Sequence, residues 1–280
     1  MIVSGATASG KSAVAMKLAQ QIDGVIINAD AMQIYVDAPI LTAQPTEHDK
    51  MQVPHMLYGA LKADDVCNMM RYVELAKQHI CAAWELGKTP ILTGGTGLYL
   101  KAMMQGMVAI PEIDAQLRLQ VRALNAVDLS IYLTQEDPDI ALILHDAQRM
   151  ARALEVIRST GKSLLWWQNQ PNIAPFPNAQ FRVIITELSR QQLYQNIDAR
   201  YIYMVEHGGL EEAKQLLAQN YSDELPLMRA VGVRQLINHL RGDCTFAQAI
   251  EMGQAASRQY AKRQLTWIRN QWVNYEVSEL

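Results

Sequence analysis

At 280 residues, half of them hydrophobic and 19% charged, with a formal net charge of −3, the chain can bury one sizeable core but cannot hold a nucleic acid by its overall field. No run of about 18 apolar residues occurs, which excludes a spanning helix, and the isolated Cys67, Cys81 and Cys244 lack the paired spacing of a zinc site. A phosphate-loop motif begins at Gly5, which leaves no room for a targeting segment, so a cytoplasmic location is expected.

Residues 1–5 read as a short strand and Lys11 to Gln21 as a helix carrying Ala13, Val14, Met16, Leu18 and Ala19. Between them, Gly5-Ala6-Thr7-Ala8-Ser9-Gly10-Lys11-Ser12 fits G-x-x-x-x-G-K-[ST] in the strand-loop-helix setting that the motif requires. Successive backbone N–H groups at a helix N-terminus suit an anion, Lys11 adds a positive charge, and the Ser12 hydroxyl suits Mg2+. Such loops usually serve ATP or GTP, yet the chemistry itself specifies only phosphate.

Val25-Ile26-Ile27 reads as a buried strand leading to Asp30, a carboxylate at a strand's C-terminal end, where parallel sheets bind ligands. Asp30 there can hold Mg2+ or accept a proton, and Gln33 and Tyr35 are expected to face the same cleft. Residues 37–62 read as a long functional loop with short pieces of structure, in which His55, without a second ligand, is a hydrogen-bonded structural residue. A helix is expected from Asp64 or Asp65 to about Leu86, closed by Gly87. Thr89 to Thr93 is another buried strand, ending in Gly94-Gly95-Thr96-Gly97 before a helix from Leu98. Thr96 joins Asp30 and the phosphate loop if the three strands are neighbours. The repeated strand, glycine loop and helix imply an α/β chain with a P-loop NTPase-like doubly wound parallel sheet.

Pro111 marks a change: residues 112–145 read as short helices, a small insertion between a first part of the core, 1–111, and its remainder, 146–280. A helix over about 146–160, ended by Gly161, places Arg149 and Arg152 three apart, a spacing at which two guanidinium groups fork onto phosphates. Arg182 to Ile185 reads as a later strand, and the chain beyond it as helical, its last helix running from about Phe246 to Trp272. On that helix Arg258, Lys262 and Arg269 share one side, Arg263 points to another, and Tyr260, Trp267 and Trp272 interleave. This composition suits an RNA backbone as well as core packing. The fourteen methionines read as adaptable core fillers.

Several stretches in order, "GATASGKS", "NADAMQIY", "LTAQP", "VPHML", "PILTGGTGLYLKAM", "QRMARALEVIRSTGKS", "AVGVRQL" and "RQYAKRQLTWIR", resemble the bacterial tRNA dimethylallyltransferases, also called tRNA isopentenyltransferases. The resemblance implies transfer of a dimethylallyl group from dimethylallyl diphosphate to N6 of adenosine 37, beside the anticodon of tRNAs that read codons beginning with U. It implies that Gly5 and Thr7, Ala8, Ser9, Gly10, Lys11 and Ser12 hold the diphosphate, with Mg2+ near Ser12, and that Asp30, Thr96, Lys11 and Arg149 are catalytic. Contacts to the tRNA anticodon stem-loop would come from Asp30, Ala31, Met32, Gln33, Thr96, Arg118, Gln148, Arg149 and Arg152. Arg229, Gly232, Arg234, Arg258, Lys262, Arg263, Trp267 and Arg269 would add to that surface, with the insertion touching tRNA and the protein acting as a monomer away from membranes. The chain departs from the family pattern with Ala6 for Pro, Ala31 for Ser, Gln44 for Lys and Val233 for Tyr. Alternatives are an isopentenyltransferase acting on free AMP, ADP or ATP, a small-molecule kinase, and a non-catalytic RNA-binding module.

Overall fold

The apolar runs become the strands of one parallel sheet. In the computed structural model, which describes residues 1–272 and 276–279, β1 (Ile2–Gly5), β2 (Gly24–Asn28), β3 (His55–Met56), β4 (Thr89–Gly94), β5 (Val183–Glu187) and β6 (Glu276–Glu279) lie in the order β3-β2-β4-β1-β5-β6. Every neighbouring pair is parallel, with Val3 of β1 opposite both Thr93 and Ile184. Ile2, Val3, Ile27 and Ile91 are fully buried, as expected for inner strands of a sheet covered by helices. Each such side chain contributes about 1.5–3 kcal/mol relative to exposure. The C-terminal ends of β2, β4 and β1 are therefore adjacent, and the loops carrying Asp30, Thr96 and the phosphate motif leave one edge of the sheet.

α1 (Lys11–Gln21) follows β1 and packs Ala15 and Ala19 against Val3, Ile26 and Ile91. α2 (Glu47–Gln52) and β3 are the short pieces of structure inside the long loop. α3 (Met69–Glu85) starts later than Asp64 or Asp65, because Asn68 accepts from the N–H of Arg71 and caps it, while Asp65 pairs with the Arg71 side chain. α4 (Gly97–Gln105) follows β4.

The chain divides into two compact units, Met1–Met104 with Asn178–Leu280, and Gln105–Pro177. The insertion is thus wider than residues 112–145. It comprises α5 (Ala115–Arg122), α6 (Ala126–Glu136), α7 (Pro138–Ala141), α8 (Ala147–Thr160) and α9 (Leu164–Gln168). α8 belongs to it because Met150, Ala151, Ala153 and Leu154 bury their face against Val121, Leu129, Leu133 and Ile140. Asp114, Asn125 and Asp146 cap α5, α6 and α8 through backbone N–H groups, and Gly161 closes α8 in the left-handed conformation.

The sheet unit continues with α10 (Arg190–Met204), a kink at Val205–Gly209 where His207 and Gly208 leave helical geometry, α11 (Leu210–Ala218), α12 (Val233–Arg241) and α13 (Phe246–Gln271). Leu193 and Ile197 of α10 and Ala261 of α13 pack on Ala6 inside the phosphate loop. The expectation of a wholly helical C-terminal part missed β6, which pairs with β5 from Ile184 opposite Glu276.

Candidate active site

The phosphate loop departs from β1 and is built to leave donors open. Its helix, α1, has Gly10 as N-cap at φ 85, a residue without a side chain to cap with, whereas Thr245 caps α13 with its hydroxyl. The first N–H groups of α1 consequently face the loop's hollow, the arrangement that binds anions. Ala8 also takes a positive φ, 62, which turns the loop around that hollow. Ser9 is fixed by a 2.6 Å hydroxyl contact with Thr186 of β5, and Lys11 reaches the carbonyl of Ala6 at 3.4 Å. Burial pulls the Lys11 ammonium down to about 8, with Asp30 opposing that shift and Arg200 adding to it. The Ser12 hydroxyl is exposed and lines a cleft of about 260 Å3 together with Gln33, His55, Tyr58 and Thr93.

Asp30 lies two residues beyond β2. The side chain of Asn28 holds its backbone, accepting from the Asp30 N–H at 2.8 Å and donating to the Asp30 carbonyl at 2.9 Å. One carboxylate oxygen accepts from the N–H of Met32 at 3.0 Å. Thr96 accepts from the N–H of Ala31 at 2.9 Å through its hydroxyl, so the loop after β4 braces the loop after β2. Gly94 permits this closeness, since a Cβ there would collide with the backbone of Ala29 and Asp30; a Cβ at Gly97 would enter the Trp267 ring.

Thr7, Asp30, Ala31, Met32, Arg229 and Arg263 share a second cleft of about 330 Å3. Arg200 and Tyr260, to which the sequence reading gave no role in the site, line it too. Arg200 donates to the Thr7 hydroxyl and its Nε is buried without a hydrogen-bond partner. Burial lowers its guanidinium from the usual value against the pull of Asp30; an arginine still remains charged. Tyr260 bonds to Thr96 and Gln264, and burial pushes its phenol up. Gln264, 6% exposed, accepts from the N–H of Thr7 at 2.8 Å and donates to the carbonyl of Gly95 at 2.9 Å, tying α13 to two of the three loops. Arg200 stands 193 positions from Thr7, and Gln264 stands 257 from Thr7 and 169 from Gly95, separations no local pattern reveals.

Other expectations change. Tyr35 is fully buried with its hydroxyl accepting from the N–H of Cys67, so it serves the core and not the cleft. Gln33 donates to the carbonyls of Thr42 and Ala43, both at 2.8 Å. Gly232 is buried, its N–H bonded to Gln235 and its carbonyl to the Tyr201 hydroxyl, which leaves it a turn residue without a free backbone group for RNA. Arg258 pairs with Asp198, and Arg269 lies 3.6 Å from Glu187. Arg229 pairs with Glu224, and Arg234 is exposed beside Asp223. Lys262 and Arg263 are exposed, line one shallow depression with Trp267, and Arg263 lies over the Tyr260 ring. His55 bonds to the Val53 carbonyl at 2.8 Å, the structural role expected of it.

In the helical unit, Gln148 and Arg149 are exposed. Arg152 does not fork with Arg149: it meets Glu155 at 3.4 Å, and Arg122 meets the same carboxylate at 2.9 Å. Arg118 is half-buried with its Nε lacking a partner.

The family model described as IPP transferase matches residues 33–271. A tRNA dimethylallyltransferase of Rhodospirillum centenum is 42% identical over 97% of this chain and 88% of its own length, and one of Rhodospirillum rubrum is 43% identical over 97% and 85%. Among solved structures, a full-length tRNA isopentenylpyrophosphate transferase of Bacillus halodurans superposes with a TM-score of 0.71 at 30% identity, covering 99% of this chain and 88% of that one. A eukaryotic dimethylallyltransferase acting on tRNA gives 0.84 at 26% identity, covering 99% and 73%.

Proposed function

The chain belongs to the IPP transferase family, and on that premise we propose that it transfers the dimethylallyl group of dimethylallyl diphosphate to N6 of adenosine 37 in tRNAs reading codons that begin with U. The observation that carries this reading is the meeting of Thr7 from the phosphate loop, the Asp30 carboxylate and Arg200 in one cleft. The amine lone pair of adenine is delocalised into the ring, so N6 attacks only as its proton leaves, and Asp30 accepts that proton. A bond forms between N6 and the allylic carbon, the carbon–oxygen bond to the diphosphate breaks, and the electron pair leaves with the diphosphate. Lys11, Arg200 and the open N–H groups of α1 stabilise that developing charge.

Ser12, with its exposed hydroxyl, fits Mg2+ as one ligand among diphosphate oxygens and water; the described residues hold no cluster of three His, Cys, Asp or Glu side chains to compete for it. The ion would add charge neutralisation at the leaving group. Thr96 positions the Asp30 loop through Ala31. Lys262, Arg263 and Trp267 offer cations and an aromatic surface to the RNA backbone, and the target adenosine must leave its stack to enter the cleft. Arg118, Gln148 and Arg149 of the helical unit extend the tRNA contacts. The same proposal takes the protein to be a cytoplasmic monomer. Among the described residues no helix is long and apolar enough to cross a membrane.

The test is incubation with dimethylallyl-labelled donor and unmodified tRNA, with free AMP and ATP as rival acceptors. Label on adenosine 37 is the expected result; label on a free nucleotide makes the protein an adenylate isopentenyltransferase, and no transfer at all overturns the reading.

A further inference from the structure

The loop between β2 and β3 borders both clefts, and it is held from a distance. Leu41 and Thr42 line the cleft containing Asp30, while Ala43, Gln44 and Pro45 line the cleft containing the Ser12 hydroxyl. Gln33 fastens the inner side of this wall through the carbonyls of Thr42 and Ala43. Its outer side is gripped by α11: the Glu212 carboxylate accepts from the N–H of Ile40 at 2.7 Å and from that of Leu41 at 2.8 Å, one oxygen to each. Glu212 is 7% exposed, and burial pushes its carboxyl up while the two N–H groups pull it down. A carboxylate is desolvated there only at substantial cost unless such bonds offset it.

The kink before α11 supplies the seat. Gly208, at φ 114, faces the end of the Ile40 side chain, and Gly209 faces the end of the Leu41 side chain, each close enough that a Cβ would collide with it. Glycines at this turn and the carboxylate three residues beyond them therefore serve one purpose, the docking of residues 40 and 41.

We propose that Glu212 is a positioning residue for the transfer reaction: by gripping the backbone of Ile40 and Leu41 it holds residues 38–45 as a fixed wall of the cleft that contains Thr7, Asp30 and Arg200. The inference rests on the proposed reaction for its kinetic consequence but not for its geometry. Glu212 touches no substrate atom; it acts through Leu41 and Thr42, which shape the space beside Asp30.

The experiment compares Glu212→Leu, which removes both acceptors, with Glu212→Gln, which keeps one. For Glu212→Leu, kcat with tRNA falls by roughly 10–100-fold through misalignment of the reacting groups, while KM for dimethylallyl diphosphate moves by less than about threefold because the phosphate loop keeps its own contacts. Glu212→Gln recovers kcat to within about fivefold of the parent protein, as one retained hydrogen bond allows. Hydrogen exchange at the Ile40 and Leu41 amides reads the wall without any turnover. These amides are protected in the parent protein and exchange at least about tenfold faster in Glu212→Leu. The proposal is overturned by a Glu212→Leu protein with kcat within twofold of the parent, by a parallel rise in donor KM, or by a lowered melting temperature with unchanged turnover per folded molecule. It is equally overturned if these two amides exchange as fast in the parent as in the variant. Should Glu212→Leu not fold, unchanged exchange and unchanged kcat in Glu212→Gln overturn it. A parent protein that labels no tRNA strikes the proposed reaction, and the exchange comparison then decides on the wall alone.

Discussion

Two arginines, one in each unit, show how the same side chain takes opposite roles. Arg200 of the sheet unit is drawn into a cleft where it meets the Thr7 hydroxyl and keeps a buried Nε without a partner. Arg152 of the helical unit shares the 1% exposed Glu155 with Arg122. On the proposed reading, a cation beside the phosphate loop whose buried Nε has no hydrogen-bond partner is open to an anionic donor; a cation on a carboxylate is part of the scaffold. The sequence reading placed Arg152 among the phosphate contacts although Glu155 stands at the i+3 spacing of a helical ion pair, and it was silent on Arg200, whose partner Thr7 lies 193 residues away.

The sharpest way to break this contrast begins at Asp30, the carboxylate to which the proposed reaction gives the N6 proton. Asp30→Ala is expected to lower transfer by about 10²- to 10⁴-fold with tRNA affinity retained; equal losses in binding and turnover would contradict a proton acceptor. Next come the arginines themselves. Arg200→Met raises KM for dimethylallyl diphosphate by roughly ten- to a hundredfold, the worth of a hydrogen bond to a charged group, and leaves the melting temperature near that of the parent. Glu155→Ala does the reverse, costing about 1–3 kcal/mol of stability with donor KM unchanged. That figure sits below the usual cost of breaking a buried pair because Arg122 and Arg152 are 63% and 41% exposed and regain water. Donor binding that weakens more in Glu155→Ala than in Arg200→Met would reverse the assignment.

A smaller effect comes from Lys11. Its ammonium lies at about 8, against an ordinary 10.5. The unfolded chain therefore holds more protons between those values, and the destabilisation from burying this cation is full below pH 8 and fades as pH rises toward 10.5. Donor binding follows the charge: above about pH 7.5, where a phosphate's last ionisation is complete, affinity for dimethylallyl diphosphate is expected to fall as pH passes 8 in the parent protein. Lys11→Met flattens that limb, and a limb that persists in the variant would assign it elsewhere. Smallest is the RNA surface. Lys262→Gln lowers the salt dependence of tRNA binding by about 0.7–0.9 in slope, whereas Arg258→Gln, whose cation already faces Asp198, changes it little; equal changes would place both on phosphates.

What could be read along the chain was what depends on neighbours along the chain. The phosphate loop, the strand ending near Asp30 and the Gly94–Gly97 turn are short-range patterns, and the parallel sheet brings them together because β4 lies between β2 and β1. What escaped depends on partners far away in sequence: Gln264 tying Thr7 to Gly95, Glu212 gripping Ile40, and Arg122 reaching Glu155. Helix periodicity placed Arg258 and Lys262 on one side of α13 but could not show that Asp198 of α10 reaches only the first. The boundary of the insertion was misjudged for the same reason, since α8 joins it through side chains that meet α5 and α6 across the unit.

The central claim is that the phosphate loop holds a leaving group, so that carbon is transferred and phosphorus is not. It is tested most directly with a donor labelled in both the dimethylallyl carbon and the diphosphate, incubated with the protein and unmodified tRNA. The expected result is carbon label on the tRNA and an equal amount of phosphorus label released as intact diphosphate, both lost together in Asp30→Ala. Phosphorus label on the tRNA, or its release without carbon transfer, would contradict the account.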